Sequence, residues 1–179
     1  MRKTDYLIIG AGIVGCSAAY LLTKDGKKVT IVDKSYPCNE ASGVNAGGME
    51  LLQQPPKSLP MHLKMLDEQE ERFNKLGLPI ERLNKEQVKE KIPYICDNVI
   101  AANFSPMSGY SNPLKAGVAI LMKAKELGCE FYDHQFIKEI HESKENGYLA
   151  YAEDGQVYQA KKILITGGIR SPWLLDQMG

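Results

Sequence analysis

Apolar residues run unbroken over positions 6–9 and again over 29–32, each run long enough for a short buried strand. Between them lie Gly10, Gly12 and Gly15 and then a stretch in which Ala18, Leu21 and Leu22 recur at helical spacing, with Gly26 as its stop. The opening of the chain therefore predicts a strand, a glycine turn, a helix and a second strand that closes on Asp33. Residues 35–50 keep neither period and hold Gly43, Gly47 and Gly48, so a loop, either functional or disordered, is expected there. Beyond Pro55, Pro56 and Pro60, Leu63, Leu66, Phe73 and Leu76 return to helical spacing until Gly77 and Pro79, with the charges of 67–72 as the solvated face. Asn84 is placed to cap a short helix through Lys91 before Pro93. A strand over 99–104 and a loop over 105–111 follow.

Asn112-Pro113 is a helix start, an N-cap with proline at the first helical position. Leu114, Val118, Leu121 and Lys125 or Leu127 keep one face up to Gly128. Short strands are expected over 129–132, 136–140, 147–151 and 157–158, with turns at 145–147 and 154–155. Residues 162–166 read as a separate buried strand running into Gly167-Gly168, and a last helix begins near Ser171. Elements at both ends then belong to one doubly wound α/β sheet, interrupted by an insertion over 50–111. The sheet domain is discontinuous on this reading, 1–49 with 112–179.

The glycine turn has the spacing G-x-G-x-x-G, and each glycine has its own physical job. Gly10 permits the tight turn, Gly12 lets a pyrophosphate approach the backbone, and Gly15 lets helix and strand pack closely. Helix N–H groups near Ile13 and Val14, together with the helix dipole, favour a phosphate. Asp33 ends the second strand, where an acid can bond the ribose of an adenosine. Strand before, helix after and acid at the end together point to a dinucleotide rather than to a bare glycine turn.

At 179 residues the chain suffices for one well-buried domain, or for one domain with a small insertion. Lys plus Arg and Asp plus Glu are 22 each, without a basic stripe, which argues against nucleic acid and acidic membrane surfaces. The uncharged run 7–22 carries the glycine pattern, follows Asp5 and is too short in apolar length for a membrane span, so a soluble protein is expected. Cys16, Cys38, Cys96 and Cys129 lack zinc or C-x-x-C spacing, which suggests reduced thiols in a cytoplasmic protein. His62, His134 and His141 show no ligand pattern, and no metal is expected.

After Asp33, the stretch Ala41-Ser-Gly-Val-Asn-Ala-Gly-Gly48 replaces the further helix and strand units usual in nicotinamide dehydrogenases. Here the chain resembles the D-amino-acid oxidase family of flavoproteins, whose loop of the form A-S-x-x-N-A-G-G passes the pyrophosphate and flavin. Ser108-Gly-Tyr-Ser-Asn-Pro113 is similar to the family's D-G-x-x-D-P segment, and Ile137-x-x-Ile140 to the strand whose backbone meets the adenine. Residues 163–168 followed by Ser171 resemble its A-A-G-A-W-S turn, with Thr166 in place of an alanine and Ile169-Arg170 in place of Ala-Trp. The resemblance implies a Rossmann-like FAD/NAD(P)-binding domain with a central parallel sheet, plus a small partial α+β insertion. It implies FAD as cofactor, held by Gly10, Gly12, Ile13, Val14, Gly15, Asp33, Lys34, Ser42, Asn45, Ala46, Gly47, Gly48, Ile137, Thr166 and Gly167.

The family normally carries more substrate-domain chain between Gly77 and Leu78 and about as much chain again after Gly179, so a fragment is expected. For full-length relatives the resemblance implies oxidation of an amine or amino acid (D-amino acid, glycine, sarcosine or proline-like) by hydride transfer to flavin. A non-catalytic remnant, or a split-enzyme subunit completed by a second chain, stays open beside it, and the isolated chain is expected to be inactive. No catalytic residue is assigned; Tyr110, Glu50 and Arg170 are flavin or substrate neighbours only by position. Plainer roles stay open as well: Asn45 as a turn residue bonding its own loop, Ser42 as a turn cap, Gly47 and Gly48 as loop geometry, and Thr166 and Gly167 as a strand end.

Overall fold

The computed structural model describes residues 1–45, 48–49, 59–143 and 147–176. The chain divides into two compact units, Met1–Gly47 with Asn112–Gly179 and Gly48–Ser111.

The first unit is built on a six-stranded sheet. In chain order its elements are β1 (Arg2–Ile9), α1 (Ile13–Lys24), β2 (Val29–Val32) and the four-residue helix α2 (Ala41–Val44). After the second unit come α5 (Pro113–Glu126), β7 (Glu130–Tyr132), β8 (Ile137–Ser143), β9 (Gly147–Ala152), β10 (Val157–Ile165), a 3-10 turn (Gly168–Arg170) and α6 (Ser171–Asp176). The strand order is β7-β2-β1-β10-β9-β8. The first four strands run parallel, and β9 and β8 add to β10 antiparallel. This is a Rossmann-like α/β fold around a mostly parallel sheet.

Alternation along β1 sends its residues into two cores, as the two-residue period of a strand requires. Ile8 joins Cys16, Ala19, Ile31, Leu121 and Ala124 beneath α1 and α5. Leu7 and Ile9 join Val32, Ile137, Ile140, Ala150, Tyr158 and Leu174 on the other side. All four residues of β2 are buried, as expected of a parallel strand covered on both faces.

Several expectations are corrected. The segments 157–158 and 162–166 are one strand, β10, because every residue of β1 from Arg2 to Thr4 and from Tyr6 to Ile9 finds a partner along it. The polar residues Lys161 and Lys162 that break its pattern are exposed. Nor is its second half fully buried: Leu164 is 37% exposed, while Ile163 and Ile165 are half-buried. The core beneath α1 and α5 draws on β1, β2 and β7 but on no β10 residue among those described, so the helix layer stops short of Leu164. Residues 41–44 form a helical turn where a loop is expected. On α5 the buried residues are Gly117, Leu121 and Ala124, whereas Leu114 and Leu127 are exposed at 47% and 45%.

The second unit holds β3 (Gly48–Met49), α3 (Leu59–Lys75), β4 (Glu81–Asn84), α4 (Lys85–Lys91), β5 (Ala101–Phe104) and β6 (Gly109–Tyr110). Strands β4 and β5 pair antiparallel, as do β3 and β6. The β6 pairing puts a strand inside the expected 105–111 loop, since two extended residues need only a partner backbone to be held. Phe73, Leu83 and Val88 are buried, while Leu76 lies past the end of α3 and is 62% exposed. Asp67 and Glu70 of α3 are more than a solvated face, for both engage Arg82 of β4. Asn84 caps α4 through a reciprocal bond with Gln87, 2.9 Å each way.

Candidate functional site

At the carboxyl end of β1 the backbone turns at Gly10 with φ +113°, a conformation that L side chains rarely adopt. The Gly10 N–H donates to the Val32 carbonyl at 2.8 Å, which ties the turn to β2. A Cβ at Gly10 would lie 2.4 Å from the Thr166 carbonyl, and one at Gly15 would lie 1.9 Å from the Gly10 carbonyl. The turn is thus wedged between α1 and the end of β10. Thr166 locks it, its hydroxyl donating to the Gly10 carbonyl at 2.8 Å. Gly12 differs, because a Cβ there would meet only the Ser42 side chain, with Oγ at 3.0 Å.

Asp33, just past β2, holds the turn from the other side. Its Oδ2 accepts the Ala11 N–H at 2.6 Å and its Oδ1 the Ser35 N–H at 2.9 Å. Its main-chain carbonyl accepts the Gln135 N–H at 2.7 Å, which draws the segment before β8 alongside. The first free N–H of α1, at Ile13, is met by the Ser42 hydroxyl at 3.0 Å. Gly12, the N-cap of α1, has no side chain to do this, so the cap comes from α2.

Several of these residues face a cleft of about 220 Å³. Of the residues expected at the cofactor, Gly10, Gly12, Asp33, Lys34, Ser42, Ile137, Thr166 and Gly167 line it. Ile13, Val14, Gly15 and Asn45 do not; the Val14 side chain is 65% exposed and Gly15 is spent on helix-to-turn packing. The Asn45 amide donates to the Ser42 carbonyl at 2.7 Å, the loop-bonding role. Ala46 and Gly47 lie outside the described residues, as does Glu50. Gly48 falls in the second unit, paired with Tyr110, which is 79% exposed.

Ile137 and Ile140 are both buried in one core although three positions apart, which a regular strand would forbid. A register shift between Ile137 and Glu139 allows it. Sequence reasoning missed other lining residues, among them Cys38, Glu40, Gln135, Phe136 and Trp173. Nothing local marks them, since they arrive from loops and from the chain's far end.

Lys34 pairs with Glu40, and that bond holds the Glu40 carboxyl below the usual carboxylate range, with the charge of Arg170 assisting. Cys38, at φ +57°, donates its N–H to the Ala11 carbonyl at 2.9 Å. The Cys16 thiol also reaches that carbonyl, at 3.4 Å. Burial pushes the Cys16 thiol up to about 12, so it is a neutral packing group. Among the described residues, no group of three or more His, Cys, Asp or Glu is placed to hold a metal ion, and no helix is long and apolar enough to cross a membrane.

Such a cleft, at the carboxyl ends of parallel strands beside a glycine turn and a helix N-terminus, defines a nucleotide-binding α/β protein. The sequence matches the family described as FAD dependent oxidoreductase over residues 5–59 and 48–179, and the chain belongs to that family. It is 26% identical to N-methyl-L-tryptophan oxidase of Yersinia pestis (strain Pestoides F), in an alignment covering 92% of this chain and 53% of the relative. The chain thus spans about half the length of the curated relatives it matches. The fold is shared with L-proline dehydrogenase from P. horikoshii, at TM-score 0.89 and 20% identity, covering 98% of this chain and 56% of that one. It is shared too with L-alpha-glycerophosphate oxidase from Mycoplasma pneumoniae, solved with FAD bound, at TM-score 0.78 and 20% identity, covering 91% and 53%. FAD is the cofactor of the family.

Proposed function

We propose that the first unit is the FAD-binding domain of an oxidoreductase acting on an amine or amino acid, and that the second unit is part of its substrate domain. The observation that carries this reading is the joint placement of Gly12, Ser42 and Asp33 on one cleft. A Cβ at Gly12 would press only on the Ser42 side chain, which can turn aside, and the α1 N-terminus with the Ser42 hydroxyl offers donors to the pyrophosphate. Asp33 already accepts two N–H groups and, at 3.4 Å, the Ser35 hydroxyl, but a carboxylate has about four lone-pair sites and keeps capacity for a ribose hydroxyl. Lys34, Ile137, Thr166 and Gly167 line the same cleft, and on this reading the Ile137 backbone meets the adenine. The residues present therefore fit the ADP part of FAD.

FAD supplies the two-electron acceptor, and this chain's residues bind and orient it. The amine or amino-acid substrate is supported by the names of N-methyl-L-tryptophan oxidase and L-proline dehydrogenase. Four free thiols and the absence of a membrane-crossing helix among the described residues support a cytoplasmic setting.

The test is flavin binding. The purified chain titrated with FAD is expected to acquire a bound-flavin spectrum, and Asp33→Ala is expected to weaken FAD about ten- to hundredfold, the worth of about 1.5–3 kcal/mol for bonds to a charged group. FMN, which lacks the adenosine, should lose far less. Equal weakening of both flavins would remove Asp33 from the ribose.

A further inference from the structure

We propose that the stacked side chains of Phe136 and Trp173 form the wall on which the purine base of the dinucleotide lies. The inference rests on the nucleotide reading above and adds the residue pair that selects a flat base.

Asp33 is the pivot of the argument. Its carboxylate bonds the Ala11 N–H in the glycine turn, and its main-chain carbonyl bonds the Gln135 N–H. Asp33 is thus bonded both to the glycine turn, where Ser42 lines the cleft, and to Gln135, whose neighbour Phe136 lines it as well. A molecule with phosphates at α1 and its sugar at Asp33 extends its base toward Phe136. Gln135 is held firmly, for its side chain donates to Asp154 at 2.7 Å and accepts the Tyr158 hydroxyl at 2.8 Å.

Trp173 approaches this end from α6. Its neighbour Leu174 is 4% exposed and anchors α6 in the core, while Trp173 lines the cleft and keeps 41% of its surface. The two rings stack at 5.7 Å between centroids with 21° between planes, an offset arrangement of the favoured kind. The stacked rings cover one another's inner faces, so a ligand in the cleft meets an outer face of the pair, which is flat and apolar. Of the parts of a dinucleotide, phosphate and ribose have no use for such a surface, whereas a base stacks on it well.

The experiment uses the indole as its own reporter, because Trp173 is the single tryptophan of the chain. The chain is titrated with ADP and with ribose 5-phosphate, following intrinsic fluorescence and heat. ADP is expected to quench Trp173 and ribose 5-phosphate to leave it unchanged. Trp173→Ala should weaken ADP about five- to hundredfold, as loss of a base-aromatic stack implies, with ribose 5-phosphate binding unaffected. Trp173→Phe should keep most of the affinity. If Trp173→Ala does not fold, the wild-type emission and Trp173→Phe still decide.

Unchanged emission at saturating ADP, or Trp173→Ala binding ADP as well as wild type, would overturn the stack while leaving FAD binding intact. Wild-type protein that binds neither FAD nor ADP would overturn the nucleotide reading and this proposal with it.

Discussion

Gly10, Gly12 and Gly15 share one turn, yet each answers to a different neighbour. At Gly15 an added Cβ would sit 1.9 Å from a backbone oxygen, which cannot move aside. Gly15→Ala should therefore lower stability by about 1–3 kcal/mol or more, as overpacking does. At Gly12 the backbone has φ −73°, ordinary for any residue, and the nearest obstacle is the end of the Ser42 side chain. Gly12→Val should melt near the wild-type temperature while losing FAD and ADP binding, because its branched side chain would fill the phosphate approach. Differential scanning calorimetry with a flavin titration separates the two effects, and normal FAD stoichiometry in Gly12→Val would move the phosphate site elsewhere. The spacing of the three glycines and the packing role of Gly15 are legible in sequence; that Thr166, from the far end of β10, closes on Gly10 and that Ser42 is the neighbour of Gly12 are not.

Among elements, α5 shows how a helix chooses its buried face. Its start was legible, since Asn112 accepts the Lys115 N–H at 2.9 Å and such a cap is a local affair. Its packing face was legible only in part: Leu121 is buried as expected, but the approach to the neighbouring loop is set by Gly117, which no apolar pattern marks. A Cβ at Gly117 would lie 2.1 Å from Cys38 Sγ and 3.4 Å from Cys38 Cβ. Gly117→Ala should therefore destabilise by about 1–3 kcal/mol, overriding the gain of about 1 kcal/mol in helix propensity. Adding Cys38→Ala should restore much of the loss, since only contacts of 3.4 Å to Cys38 Cβ and 4.0 Å to Ile13 Cδ1 then remain. A double-mutant cycle by urea unfolding is expected to give a coupling above about 1 kcal/mol, and additive effects would contradict the contact.

For the molecule as a whole, three of the four thiols are buried and only Cys96 is exposed. Burial raises Cys16 from 9.0 to about 12 and Cys129 to about 11, and it raises Cys38. A folded-state pKa above the unfolded value means that the native state holds its protons longer. The associated stability is complete below pH 9 and is lost as pH rises toward 12. Melting temperature should accordingly fall between about pH 9 and pH 11, and the fall should be shallower in Cys16→Ala. At pH 8 a thiol reagent such as DTNB should titrate about one thiol in the native chain and all of them in denaturant, as exposure governs thiol reactivity. Rapid reaction of the buried thiols without denaturant would contradict this packing.

What the sequence determined by itself was whatever a few neighbouring residues decide: the strand-turn-helix-strand opening, the caps at Asn84 and Asn112, and the acid at Asp33. These depend on backbone geometry and hydrogen bonds within one or two turns, so their chemistry is written in consecutive residues. Tertiary structure alone decided that residues 157–165 form one strand, because pairing with β1 outweighs the polar residues within it. It alone brought Phe136 and Trp173 together and set Gly117 against Cys38. Those contacts join segments distant in the chain, and their energy exists only once the sheet has closed around both ends of the sequence.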